Sequence, residues 1–474
     1  MFNLLAESGT LGYGIKAIGD VWLNPIGQLI RILIEGIGIV GVGIIVFTLI
    51  LKTIVLPLDI YSRIKGKKQA LIMERMRPQM EKLQKQYAND KNMYQQKVVE
   101  LQKKSGYSMF GACLPMIVSL VIFIVVFNAF STYSQYANLK NYNDMVRVYN
   151  GVVQTYVIPE GEGQTAADGV IPFLEGVPDE KDKTKIVDYK VHFDAFAMHY
   201  DGERAGKDEK YGESKLDSSD PLDKQVYLYL AKQYKSAHTG YNGSFNVEKV
   251  NDVDNGGNLT DTAVSIRNSL VSYYLEEPAA REVKEYYEDG HNNSFLWVNN
   301  LWYPDSTLNK EIPDFSKFKS TITKASIGDD YAESYNKVTA ALGAQKGRYN
   351  GYFILIILSI GLMLLQQWLS MRSNKSVNEL STVDGSGART NKWMMIMMPI
   401  IYGIFSFFYS ASFSLYMITN TVYGIVTMLI INKCVDVWFK KKEESGELDA
   451  YLAKKQKKSR NGSGVKSRNV KKVR

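Results

Sequence analysis

The sequence predicts a mainly α-helical, polytopic membrane protein with a five-helix core, a cytoplasmic helical hairpin and a mixed α/β extracellular domain. Three observations predict it. Apolar residues gather in five long runs toward the two ends of the 474-residue chain. A polar block, residues 137–349, separates the second run from the third. The sign of the charge also differs between the segments that join the runs.

The runs are Ile39–Tyr61, Phe110–Phe130, Tyr352–Leu369, Trp393–Tyr409 and Phe413–Ile431. A stretch of about 18–20 apolar residues crosses the hydrocarbon core as a helix. Buried helices of a soluble domain rarely string together a run such as Leu114–Phe127. Residues 62–108 carry 12 Lys/Arg against 4 Asp/Glu, residues 372–392 carry 4 against 2, and residues 432–474 carry 14 against 5. Residues 109–371 carry 24 against 34. Basic loops beside spans stay in the cytoplasm. The expected order is therefore an external N-terminal segment (1–38), a first span (39–61), a cytoplasmic hairpin (62–108), a second span (109–136) and an extracellular insertion (137–349). A third span (350–371), a cytoplasmic loop (372–392), the fourth and fifth spans (393–433) and a basic cytoplasmic tail (434–474) complete it. This is a multi-pass protein of the cell membrane with its N-terminus outside and its C-terminus inside. The first twenty residues lack a basic region followed by a clean apolar core, so no cleaved signal peptide is expected.

Within the N-terminal segment, Gly12–Ile37 reads as an amphipathic interfacial element. Ile26, Leu29, Ile30, Leu33 and Ile37 suit one helix face, and Arg31 and Glu35 can pair at i,i+4. In the hairpin, Met73, Met76, Met80, Leu83 and Tyr87 repeat at spacings of 3 and 4, the seam of a helix packed on a partner. Pro78 is expected to start or kink that helix, because it lacks a donor and clashes with the preceding turn. Ala88–Asn92 is a turn with Asn89 or Asp90 available as N-cap, and Tyr94, Val98 and Leu101 give the return helix its apolar side.

In the external block, Tyr189, Val191 and Phe193 alternate with polar residues, which predicts a half-buried strand. Val226–Tyr234 and Ala263–Leu275 read as helices, and Pro159–Gly169 and Asn251–Asn258 as loops. The two cysteines, Cys113 and Cys434, lie in or next to spans, so no disulfide is expected in the external block. His192, His199, His238 and His291 show no metal-ligand spacing, and no GxxxxGK[ST] run is present. No cofactor, metal or catalytic centre is expected. The tail beyond Lys440 alternates basic clusters with Ser, Gly and Asn and holds too little apolar surface to fold alone. Anionic lipid and ribosomal RNA are its candidate partners.

Lys52 is the residue that a span should not contain. A charge at the centre of a transmembrane helix costs about 2.5–3.5 kcal/mol. Tyr61 lies nine residues further on, about 13 Å at about 1.5 Å per residue, more than a lysine stem reaches. Asp59 is about two turns away and no other span carries an acid. Lys52 therefore faces water, in a cavity open to the cytoplasm. Gln366 and Gln367 on the third span, Ser406 and Tyr409 on the fourth, and Thr419 and Asn420 on the fifth are candidates to line it. Each alone suits a helix-packing hydrogen bond. A transporter or channel with Lys52 in a solute or ion site is the rival reading, against which stands the lack of an inverted repeat.

Thr48–Leu58 resembles the first core span of the YidC family of membrane protein insertases, whose relatives are the Oxa and Alb insertases of mitochondria and chloroplasts. Arg77–Leu83 with Gly106–Pro115 is similar to that family's hairpin and second span. Phe295–Leu301 with Pro304-Asp305 resembles the motif before its third span, and Leu364–Leu369, Met397–Ile401 and Leu415-Tyr416 complete the set. The resemblance implies a five-helix core with a hydrophilic groove open to the cytoplasm and closed on the outer side. It implies one positive groove residue, at the position of Lys52, where the family usually has arginine. Further departures are Ser119 and Val121 in place of glutamine and proline, and Ser410, Ser412 and Met417 where proline, glycine and tryptophan are common. The bulk of the external mass also falls between the second and third spans and not before the first. The partners implied are nascent membrane proteins, the ribosome and the Sec translocon, and the activity implied is insertion without catalysis.

Overall fold

The computed structural model describes residues 15, 17–105, 109–158, 170–178, 186–204, 220–238, 246–291, 293–373, 393, 397, 399–401 and 403–446. The chain divides into two compact units, one of residues 23–134, 293–311 and 349–474, the other of residues 1–22, 135–292 and 312–348.

The first unit opens with α1 (Pro25–Ile37). Asn24 caps it by accepting a hydrogen bond from the Gly27 amide at 2.7 Å, and Pro25 fits the first helical position, where no donor is needed. Gly38 ends it at φ 77°, donating to the Ile34 carbonyl at 2.9 Å. Gly27, Ile30 and Ile34 form its buried stripe, and the Arg31–Glu35 pair forms at 3.1 Å. Leu29 and Ile37, expected on the same face, are exposed instead, together with Trp22, Ile32 and Ile39. The buried stripe is narrow because α1 lies close on the next helix. A β-carbon on Gly43 would fall 2.9 Å from the Ile34 Cα.

That next helix, α2 (Val40–Gln86), carries both the first span and the first arm of the hairpin without a break. Pro57 and Pro78 lie inside it, so Pro78 does not start a helix as the sequence suggests. After a turn, Asp90 caps α3 (Lys91–Lys104) by accepting from the Met93 amide at 3.0 Å. The partner of the methionine seam is the far end of the last helix. Ile72, Met76 and Met80 bury against Ile431, Val435 and Phe439, with Val98 and Leu101 of α3 at the margin. The side chain of Met73 lies outside the described residues.

Among the described residues, four helices are long and apolar enough to cross a membrane: Val40–Lys68, Leu120–Gln154, Ile354–Arg372 and Ala411–Glu444. The second belongs to α4 (Met109–Gln154), which runs on past residue 136, where the insertion was expected to begin. The expected fourth span is described in part, at 393, 397, 399–401 and 403–409, and Pro399–Phe408 is its described apolar helix. In chain order the short helices α8 (Phe315–Thr321), α9 (Tyr331–Val338) and α10 (Gly343–Gly347) precede α11 (Ile354–Ser373), which is followed by α12 (Pro399–Phe408) and α13 (Ala411–Glu444). The tail was expected to start at 434, yet α13 continues as helix to Glu444, because Val435 and Phe439 find apolar partners on α2.

The second unit is helical around the end of α4, with one two-stranded antiparallel sheet among the described residues. Leu139, Tyr142, Val146, Tyr149 and Val153 recur at spacings of 3 and 4 and are all buried, which makes this part of α4 its core helix. β1 (Leu174–Pro178) pairs with β2 (Ile186–Val191), with Leu174 opposite Val191. Tyr189 and Val191 are the buried positions of β2 as expected, but Phe193 begins α5 (Phe193–Glu203). α6 (Leu222–Ala237) and α7 (Asp261–Glu288) contain the two segments read as helical. Arg267 of α7 is buried and spends its guanidinium on Asp223 at 2.8 Å, Asn251 at 2.7 Å and the Val250 carbonyl at 3.0 Å, above the Tyr227 ring. Asn251–Asn258 is a tight loop in which Asp254 accepts from the Gly256 and Asn258 amides. Pro159–Gly169 lies outside the described residues.

Candidate functional site

Ile44, Phe47 and Thr48 bury one face of α2, with the Phe47 ring edge-on to Phe130 of α4 at 5.6 Å. Thr48 settles its hydroxyl on the Ile44 carbonyl at 2.7 Å, which lets a polar residue sit fully buried in an apolar helix. Residues four apart share a helix face. Lys52 therefore continues this inward face by one turn and is half-buried. Asp59 lies seven residues on, and among the described residues Lys52 makes no ion pair with it or with any other acid. Pro57 cannot donate to the Thr53 carbonyl, so a free acceptor sits one residue from the ammonium-bearing position.

The other six candidates distribute over two environments. Gln366 of α11 is half-buried against α13, its amide nitrogen 2.5 Å from where a β-carbon of Gly424 would be. Only glycine admits that approach. Asn420 lies one turn before Gly424 on α13 and is half-buried, as are Thr419 and Gln367. Thr419 donates to the Leu415 carbonyl at 2.9 Å. Tyr409 instead joins an aromatic cluster: its ring lies 4.4 Å from Phe127 and 6.0 Å from Phe405, and Phe127 also meets Phe413 at 5.2 Å. Ser406 is 1 % exposed, and its hydroxyl meets no partner among the described residues. No hydrogen bond joins Lys52 to any of these six among the described residues.

The segment 295–305 is tied down by buried polar side chains. Asn350 accepts from the Asn300 amide at 2.7 Å and donates to the carbonyls of Asn300, Tyr303 and Pro304. Asp305, fully buried, accepts from the Tyr352 amide at 2.7 Å and the Leu355 amide at 2.6 Å, capping α11 from a distant loop. The Tyr303 and Leu301 carbonyls accept from Ala411 and Ser412 at the start of α13, both at 2.9 Å. Ser134 of α4 donates to the Trp302 carbonyl at 3.0 Å, and the Phe295 ring covers Gly41 of α2. Four long helices thus meet at one knot, α11 through a carboxylate, α13 through main-chain bonds, α4 through a hydroxyl and α2 through ring packing. The sequence reading singled out Phe295–Leu301, which contains Asn300, and Pro304-Asp305, but missed Asn350. A lone asparagine between a polar connector and an apolar run is a signal only in hindsight, since its partners are main-chain atoms.

The profile of the 60Kd inner membrane protein family matches residues 32–153 and 279–440, on both sides of an unmatched insertion. Three relatives bearing the name membrane protein insertase YidC are similar over shorter stretches. That of Leptospira interrogans serovar Lai is 42% identical over 59 residues, 12% of this chain and 9% of its own. That of Fusobacterium nucleatum is 37% identical over 76 residues, 16% of this chain and 35% of its own. That of Clostridium tetani is 36% identical over 80 residues, 17% of this chain and 34% of its own. The chain therefore spans about a third or less of the length of these relatives. No solved structure matches it. The matched residues take in the inward face of α2, the knot and the glutamine-bearing α11, and the chain belongs to the 60Kd inner membrane protein family, that of the YidC insertases.

Proposed function

We propose that this protein is a bacterial plasma-membrane insertase that moves integral membrane proteins into the bilayer through a groove open to the cytoplasm, without catalytic chemistry. The observation that carries the reading is Lys52: a half-buried cation on the inward face of an apolar helix, with no acid paired to it among the described residues. Such a charge attracts the acidic tail of a substrate helix, and polar groups around it lower the barrier that the tail crosses. Gln366, Gln367, Thr419 and Asn420 are the further lining residues, with Ser406 and Tyr409 at its aromatic wall. The knot around Asp305 and Asn350 closes the outer side. Lysine in place of arginine keeps the charge but not the planar fork, so the attraction is that of a point charge and not a bidentate grip. The energy comes from burying substrate apolar surface and from the membrane potential.

Nascent membrane proteins are the substrates in this reading. The hairpin and the basic tail face the ribosome, the translocon and anionic lipid. The test is rescue of a bacterium depleted of its own insertase. The wild-type chain and Lys52→Arg should restore insertion, and Lys52→Glu should lower it at least ~10-fold for substrates with acidic tails, a loss of about 1.4 kcal/mol. Full activity of Lys52→Glu on such substrates removes the groove charge from the mechanism. Crosslinks from position 52 to a small solute and not to nascent chains would favour a transporter.

A further inference from the structure

Two asparagines on one face of α4 hold the main chain at Ile15 and at Ile18. The Asn150 side chain accepts from the Ile15 amide at 2.8 Å and donates to the Ile15 carbonyl at 2.9 Å. Asn143 does the same to Ile18, accepting at 3.0 Å and donating at 2.8 Å. Each carboxamide thus replaces the edge of a neighbouring strand, satisfying one N–H and one C=O of the chain that it reads. The spacing fits. Seven residues of helix rise about 10.5 Å, and three residues of extended chain rise about 10 Å. Ile15, Ile18 and Val21 are 3 to 4 % exposed, so side chains three apart enter the unit while the main chain is held by amides. The exposed Asp20 lies between two of them.

These contacts ask for little from the sequence held: an extended backbone and an apolar residue at every third position. Main-chain bonds that supply affinity and pockets that supply modest selectivity are the means by which proteins bind extended peptides. We infer that the Asn143/Asn150 face of α4 is a docking groove for an extended apolar peptide, and that residues 15–21 are its exchangeable occupant within the chain. The groove is the kind of site that receives an unfolded polypeptide segment, and in an insertase the extended tail of a translocated substrate is such a segment. That biological source rests on the function proposed above, while the groove itself rests on the four amide bonds.

The test reads exchange directly. In the purified full chain in detergent, Ile18→Cys reports on the occupant by its rate of maleimide labelling, located by peptide mass, with Val21→Cys as a second reporter. Both should label slowly. A synthetic peptide of twelve residues, with isoleucines three apart in a Ser/Gly/Lys background, should accelerate labelling at least ten-fold and saturably. The same peptide with aspartate in place of the isoleucines should not. Asn143→Leu with Asn150→Leu should label fast without any peptide. Labelling that stays slow at saturating peptide, equal effects of the two peptides, or fast labelling of both reporters without peptide overturns the inference. No insertion step enters the readout, so a failure here leaves the insertase reading standing, and failed rescue by the wild-type chain leaves the groove standing.

Discussion

The carboxylate of Asp305 occupies the space that a β-carbon on Gly351 would need. Its two oxygens accept from the amide of Tyr352, just before α11, and from that of Leu355 in its first turn, and a carboxylate there also meets the positive end of the helix dipole. Asp305→Ala should cost about 2–3 kcal/mol, the penalty for leaving buried amides without a partner. Gly351→Ala should cost a similar amount, because the new methyl displaces the carboxylate. The two losses share one cause, so the double variant should lose far less than their sum. Additive losses in thermal unfolding of the purified protein would show that Gly351 acts by another route.

The hairpin is predicted to be held to the last helix by apolar packing and not by charge. Phe439→Ala should loosen it by about 2–4 kcal/mol, the range for removing a buried ring. Limited trypsin should then cut sooner at Lys82 and Lys85 in the full-length protein. Lys67 pairs with Asp436 at 2.7 Å, but both are well exposed, so Lys67→Ala should cost less than about 1 kcal/mol and leave the cleavage rate near that of the wild type.

Acid is predicted to weaken the second unit through His199. Burial pushes this imidazole below its usual range, against the opposing pull of Glu203. Tyr274 donates to Glu203 and so receives the His199 Nε2 proton at 2.9 Å, and Tyr156 and Phe173 cover the ring. A depressed folded value means that the unfolded chain binds the proton more readily. The stability is then fully present above the unfolded value near 6.5 and is lost as pH falls below it. Amide protection factors in α5 and α7, which divide out the intrinsic slowing of exchange in acid, should fall from pH 7 to pH 5, and His199→Gln should flatten that dependence. An unchanged slope in the variant would show that His199 is not the group responsible.

Topology has a direct check. Cysteines introduced at Ser62 and Ser463 should label only from the cytoplasmic side, and one at Ser244 only from outside. External labelling at 463 breaks the five-span arrangement.

Much of this was written in the order of residue types. The apolar runs marked the long helices, and Lys52 stood out because a single charge in such a run has few benign explanations. The methionine spacing in 73–87 predicted a packed seam but not its partner, since a 3,4 repeat says that a helix face is covered and not by what. The full extents of α4 and α13 were not legible for a related reason. A change to polar composition marks where lipid ends, whereas the helix ends where its own caps and contacts end, at Gln154 and Glu444. Asn143 and Asn150 gave no signal at all, because a carboxamide that reads main chain 125 and 135 residues away leaves no local pattern.

That separation also sets a timetable. Residues 15–21 leave the ribosome first, yet Asn150 follows Ile15 only after 135 further residues. At about 5–20 residues per second this is a delay on the order of ten seconds. Throughout it, Ile15, Ile18 and Val21 have no groove to enter, so a newborn molecule carries an apolar segment without its berth. Until α4 is complete, any other partner for that segment competes unopposed.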